Sequence, residues 1–124
     1  MKRMAAVLAG AMLVTMLGLT GVANAASVHL QAPVITVDSQ WTIVVAGFGC
    51  EAETITGAHT WAADRGFDSG TWTKDKLVLW MNWTAGNGVG LRFKGKWDGT
   101  EFAGTLSVPG ARLPAILVPG YFCE

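Results

Sequence analysis

A strong excess of charge is the first thing missing. Only 15% of the 124 residues are Asp, Glu, Lys or Arg, and nine acidic side chains balance nine basic ones. General nucleic-acid and anionic-membrane binders announce themselves by a large basic surplus, so neither partner is expected and any basic patch must be local. Histidine is scarce as well: His29 and His59 are the two in the chain, and they lie thirty residues apart. That spacing carries no zinc signature, and no metal site is expected. The serines include no G-x-S-x-G elbow, so no nucleophile motif stands out. Gly86-x-Gly88-x-Gly90 falls between two strand-like runs rather than before a helix, so it is not a phosphate cradle, and no cofactor is expected. Beyond the first 25 residues there is no long stretch with a 3.6-residue apolar period, which excludes a helical domain.

What is present begins with a leader. "MKRMAAVLAGAMLVTMLGLTGVANA" sets Lys2 and Arg3 before an apolar run from Met4 to about Val22 and closes on Ala23-Asn24-Ala25, a small-x-small site. This is the organisation of a secretory signal peptide. The run approaches the roughly 18 to 20 residues that span a bilayer, but its glycines and the Ala-x-Ala ending favour cleavage near Ala25 over a retained anchor. The expected domains are a signal peptide, 1–25, and one secreted β domain, 26–124, with no stable membrane insertion. Losing the leader removes Lys2 and Arg3 and leaves nine acidic against seven basic side chains, a net charge of −2. The Ala-rich leader points to a bacterial protein acting at the cell envelope or in the medium. It also makes the Asn82-Trp83-Thr84 glycosylation match accidental.

Cys50 and Cys123 both fall in the exported part, where a disulfide can form and persist, so they are expected to pair. Pairing removes them as nucleophiles. Period-two alternation recurs from residue 34 onward. The expected strands are 34–37, 41–48, 51–56, 58–63, 70–74, 76–83, 89–97, 101–108 and 115–118, separated by Gly, Asp, Asn and Pro. Asp98-Gly99 is the strongest hairpin signal. Phe93-x-Gly95-x-Trp97 and Phe102-x-Gly104-x-Leu106 put an aromatic, a glycine and a large apolar residue on one face, with a weaker echo at Phe67-x-x-Gly70-x-Trp72. Glycine between bulky neighbours suits a strongly bent sheet. The expected fold is all-β, a small antiparallel meander forming a closed or partly open β-barrel with one disulfide. These F-x-G-x-W hairpins resemble those of small calycin-type barrels, a likeness of fold that implies no function. The alternative is an immunoglobulin-like β-sandwich, suggested by Tyr121 two residues before Cys123 and by tryptophans between the cysteines, but Cys123 leaves no room for a final strand.

Chemistry is thinly signalled. His59, with Glu53, Asp64 and Asp68 at moderate distance, could join a triad only through folding. Glu51 and Glu53 share one strand face, as paired hydrolytic carboxylates must, although a solvent-facing strand shows the same spacing. "DRGFDSG" (64–70) lacks a calcium-loop spacing and reads as a turn. The unusual feature is tryptophan, six in the chain. In 76–83, Leu77, Leu79, Met81 and Trp83 share one face and Trp80 the other; in the next strand Arg92, Lys94 and Lys96 oppose Leu91, Phe93 and Trp97. Trp80 framed by Arg92, Lys94 and Lys96 is the candidate binding surface, suited to an anionic sugar or polymer. The expected function is a non-enzymatic binding or interaction module with envelope carbohydrate or a protein as ligand, or a small apolar ligand inside the barrel. The alternatives are a small secreted hydrolase and a secreted toxin or inhibitor, and no catalytic residue is assigned.

Overall fold

The computed structural model describes residues 30–123; the expected signal peptide and its cleavage site lie outside them. Eight strands follow in order: β1 (Gln40–Val45), β2 (Gly49–Ile55), β3 (Thr60–Ala63), β4 (Ser69–Asp75), β5 (Val78–Ala85), β6 (Arg92–Trp97), β7 (Phe102–Val108) and β8 (Ala111–Pro119). Each pairs antiparallel with the next, and β8 returns to pair with β1, so one sheet closes into a barrel. The barrel expectation holds, and the sandwich alternative falls because a single sheet closes on itself. Among the described residues no helix is long and apolar enough to cross a membrane.

Alternation decides which side chains fill the barrel. In β6, Phe93, Gly95 and Trp97 are buried while Arg92, Lys94 and Lys96 are exposed. In β5, Leu79, Met81 and Trp83 are buried and Trp80 is half-buried on the outer face. Trp41, Trp61, Trp72, Trp83 and Trp97 are all 8% exposed or less, so most of the tryptophan fills the core. Trp61 meets Trp83 edge-on with ring centroids 4.9 Å apart, and Trp97 meets Phe102 at 5.0 Å. Such edge-to-face pairs add about 0.5 to 1.5 kcal/mol beyond area burial.

The run 34–37 is not a strand. Of its apolar side chains only Ile35 packs against the core, while Val34 and Val37 are exposed. A turn follows in which Asp38 adopts φ 75° and donates its N–H to the Ile55 carbonyl at 2.7 Å. The segment therefore crosses one end of the barrel instead of extending the sheet.

The disulfide Cys50–Cys123 forms, with Cα atoms 5.8 Å apart. Its tail explains a buried outward-facing residue: Thr42, 0% exposed, donates its hydroxyl to the Gly120 carbonyl at 2.7 Å and accepts from the Phe122 N–H at 3.0 Å. The chain leaving β8 thus folds back over β1 and is fastened to β2. In an antiparallel meander alternate connections share an end. The β1–β2, β3–β4, β5–β6 and β7–β8 loops form one end, and residues 35–39 lie with the other three loops.

Candidate functional site

The end formed by the four odd-numbered connections opens into a pocket of about 340 Å³. Its walls are apolar: Ile43 and Val45 from β1, Leu106 and Val108 from β7, Leu113 from β8, and Leu91 just before β6. Three polar side chains converge on it, Glu51 from β2, Asp68 from the β3–β4 loop and Trp83 from β5. The Trp83 indole N–H donates to Glu51 Oε1 at 3.2 Å, and the Gly88 N–H donates to Asp68 Oδ1 at 2.8 Å. The glycine-rich loop makes room for that carboxyl, because a Cβ on Gly86 would stand 2.4 Å from Asp68 Oδ1 and one on Gly88 would stand 2.7 Å from the Trp83 ring. The loop cradles a side chain of its own protein.

Glu51 and Glu53 point inward, not to solvent. Register explains it: Glu53 lies opposite Trp41 and Glu51 opposite Ile43, and cross-strand partners share a face. Trp41 and Ile43 are core, so both carboxyls face the lumen. Glu53 is 0% exposed, and neither of its oxygens receives a hydrogen bond from a donor. Burial, then the neighbouring Glu51, pushes its carboxyl well above the ordinary glutamate range. Burial thus favours the neutral form of Glu53, which can donate a hydrogen bond to Glu51. Burial also raises Glu51, helped by a hydrogen bond with Asp68 and by the charge of that residue, while the hydrogen bonds from Glu53 and Trp83 oppose the rise. Beyond Glu53 the remaining space is about 10 Å³, walled by Ile35, Trp72, Leu79 and Met81, so the pocket has a closed floor. Among the described residues no group of three or more His, Cys, Asp or Glu side chains is arranged to hold a metal ion. Around the opening, Phe48, Phe67 and Val89 stand 77%, 85% and 62% exposed at the tips of three loops.

The residues singled out in the sequence are elsewhere. Trp80, Arg92, Lys94 and Lys96 do lie side by side on the outer wall, with Trp80 opposite Lys94, Asn82 opposite Arg92 and Val78 opposite Lys96. The Lys94 ammonium sits over the Trp80 ring, 5.8 Å from its centroid. His59 is exposed in the β2–β3 connection, its ring 5.5 Å from that of Trp72 and its Nδ1 3.2 Å from the Trp72 carbonyl oxygen. Asp68 belongs to the opposite end of β3, and the Asp64 carboxylate accepts from Thr54 and Gln40, so no triad is assembled. Sequence reasoning missed Asp68 and Trp83 as partners of Glu51. The available signal was the Glu51/Glu53 pair beside a β1 whose Trp41 and Ile43 had to be core. No family model matches the chain, and neither a curated protein nor a solved structure matches it, which leaves the chemistry of the pocket itself as the guide to function.

Proposed function

We propose that the protein is a secreted, non-enzymatic binding module, working at a bacterial cell envelope or in the medium, whose ligand is a small molecule held in the mouth of the barrel. The observation that carries this reading is the pocket of about 340 Å³ with apolar walls and three convergent polar side chains. Small-molecule sites have this composition, and the mouth of a barrel is one of their usual places. Eight strands enclose just enough space for one small ligand. The exposed Phe48 beside the opening extends the apolar wall outward.

Binding is favoured over turnover by the placement of the carboxyls. Glu51 and Glu53 stand side by side on one strand, and Glu53 is enclosed, whereas glycoside hydrolysis needs two carboxyls flanking the scissile bond. A second reading keeps the outer wall as the binding surface, for carbohydrate or a partner protein. It is supported by three cations in one row next to a half-buried indole.

One experiment separates the two. In the purified protein, the indole N–H resonance of Trp83 is expected to shift saturably on titration with 1-hexanol and 2-phenylethanol while that of Trp80 stays still. If Trp83 is unmoved and Trp80 responds to envelope glycan fragments, the outer wall replaces the mouth.

A further inference from the structure

We infer that the ligand of the barrel mouth is an organic cation, its ammonium group bound between Glu51 and Asp68 and its carbon body lying along Ile43, Val45, Leu106 and Val108. This rests on the mouth being the ligand site and adds the chemistry that site selects.

The pocket is one-sided in charge. Glu51 and Asp68 line it, and among the described residues no lysine, arginine or histidine does. Each carboxyl has one oxygen already served, by the Trp83 indole and the Gly88 amide respectively, so each is oriented and retains accepting capacity. An ammonium group brings three N–H donors and nothing that accepts, which matches a cradle of acceptors. An anionic ligand would meet the same carboxyls as like charges.

Glu53 supplies an independent indication. It is wholly buried, both oxygens lack a donor, and it faces Glu51 from the floor side of the lumen. A buried carboxyl that no donor reaches is costly, and here the neighbour it can hydrogen-bond is another carboxyl, so the network is short of donors. Protonated Glu53 can donate to Glu51, which leaves Glu51 free to carry the negative charge that a cation requires. A bare metal ion fits poorly, because the carboxyls are not arranged as metal ligands and the remaining walls are hydrocarbon. An alkyl or arylalkyl amine uses both parts of the surface.

Proton and ligand then compete for the same site. The groups facing it are Glu51 and Glu53 from β2, Asp68 from the β3–β4 loop and Trp83 from β5, with Asp64 acting on Glu53 through its charge; Arg65 and Tyr121 line, with Glu51, a neighbouring cavity of about 230 Å³. Since the Glu51 carboxyl is raised, first by burial, a cation gains affinity as pH rises and the proton leaves.

The test compares hexylammonium, 1-hexanol and hexanoate on the purified protein, with calorimetry for affinity and the Trp83 indole N–H for location. Hexylammonium is expected to bind at least about tenfold tighter than 1-hexanol, as a charge-assisted hydrogen bond implies, with hexanoate weakest. Glu51→Gln should erase that advantage, so that hexylammonium binds the variant no tighter than 1-hexanol does. In the unaltered protein, hexylammonium affinity should rise severalfold between pH 5 and pH 7.5 while that of 1-hexanol stays flat, which keeps the inference testable if the variant does not fold. Equal binding of amine and alcohol with no pH dependence overturns the cation and spares the mouth. If none of the three moves Trp83, the mouth reading fails with it.

Discussion

Glu53 is enclosed by Trp41, Ile55, Trp72, Leu79 and Met81, surroundings in which a charge is costly. Its raised carboxyl makes folding pH-dependent. Below the ordinary glutamate value of 4.5 both folded and unfolded chains hold the proton, and Glu53 takes nothing from stability. As pH rises above that value the unfolded chain releases its proton while the folded chain keeps it, so the unfolding free energy falls, by up to about 1.4 kcal/mol per pH unit, until the raised value is reached. Denaturant unfolding is therefore expected to show a less stable protein at pH 8 than at pH 4.5. Glu53→Gln, which cannot ionise, should flatten that slope and be the more stable chain at pH 8. An unchanged slope would mean that Glu53 is charged in the fold.

The β6–β7 hairpin shows how an element is held at close quarters. Gly95 and Gly104 lie opposite each other, and a Cβ on Gly104 would stand 1.8 Å from the Lys94 carbonyl oxygen, which is backbone and cannot swing aside. The Phe93 ring folds back over Gly95 on its own strand, 2.5 Å from where a Cβ would be. These glycines, together with the small-residue pairing, let the sheet curl tightly enough to close. Gly104→Ala is expected to cost about 3 kcal/mol through overpacking, whereas Thr105→Ala, on the outer face, should stay within about 0.5 kcal/mol; thermal or denaturant unfolding distinguishes them. The hairpin signalled by Asp98-Gly99 is present, with Trp97 paired to Phe102 and four residues between them. Asp98 Oδ1 accepts from the N–H groups of Thr100 and Glu101 at 2.9 and 3.0 Å, and this local capping supports a longer connection.

For the molecule as a whole, the disulfide joins residues 73 apart in sequence and holds the tail across the β1–β2 wall next to Glu51. In the chain-entropy model, closing a loop of that length contributes roughly 4 kcal/mol, against a total of about 5 to 15 kcal/mol for a typical domain. Replacing Cys50 and Cys123 together by serine should lower the unfolding free energy by several kcal/mol. It should also weaken amine binding, since Cys50 lines the same pocket. A variant as stable as the parent would show that Thr42 and the strand ladder hold the tail unaided.

Strand phase was legible wherever one face is entirely apolar. Leu79, Met81 and Trp83 against Trp80, and Phe93 and Trp97 against Arg92, Lys94 and Lys96, declare their own inside and outside, because pleating sends neighbours to opposite faces. The partners in the disulfide were legible too, since only one pairing of two cysteines exists. For β2 the same logic has no purchase. Glu51, Glu53 and Ile55 share a face with two charged members, and Ala52 and Thr54 offer a face no more polar, so local pattern cannot say which side is buried. That choice is made by β1, whose Trp41 and Ile43 must be core and whose register carries Glu53 and Glu51 in with them. Asp68 and Trp83 join Glu51 only because the barrel closes. The sequence by itself determined an all-β chain, its alternating faces and its cross-link, because these follow from local periodicity and cysteine count. That two carboxyls and an indole meet at one pocket is a matter of tertiary structure, because a shared interior is a property of closure, which brings together side chains that no local pattern relates.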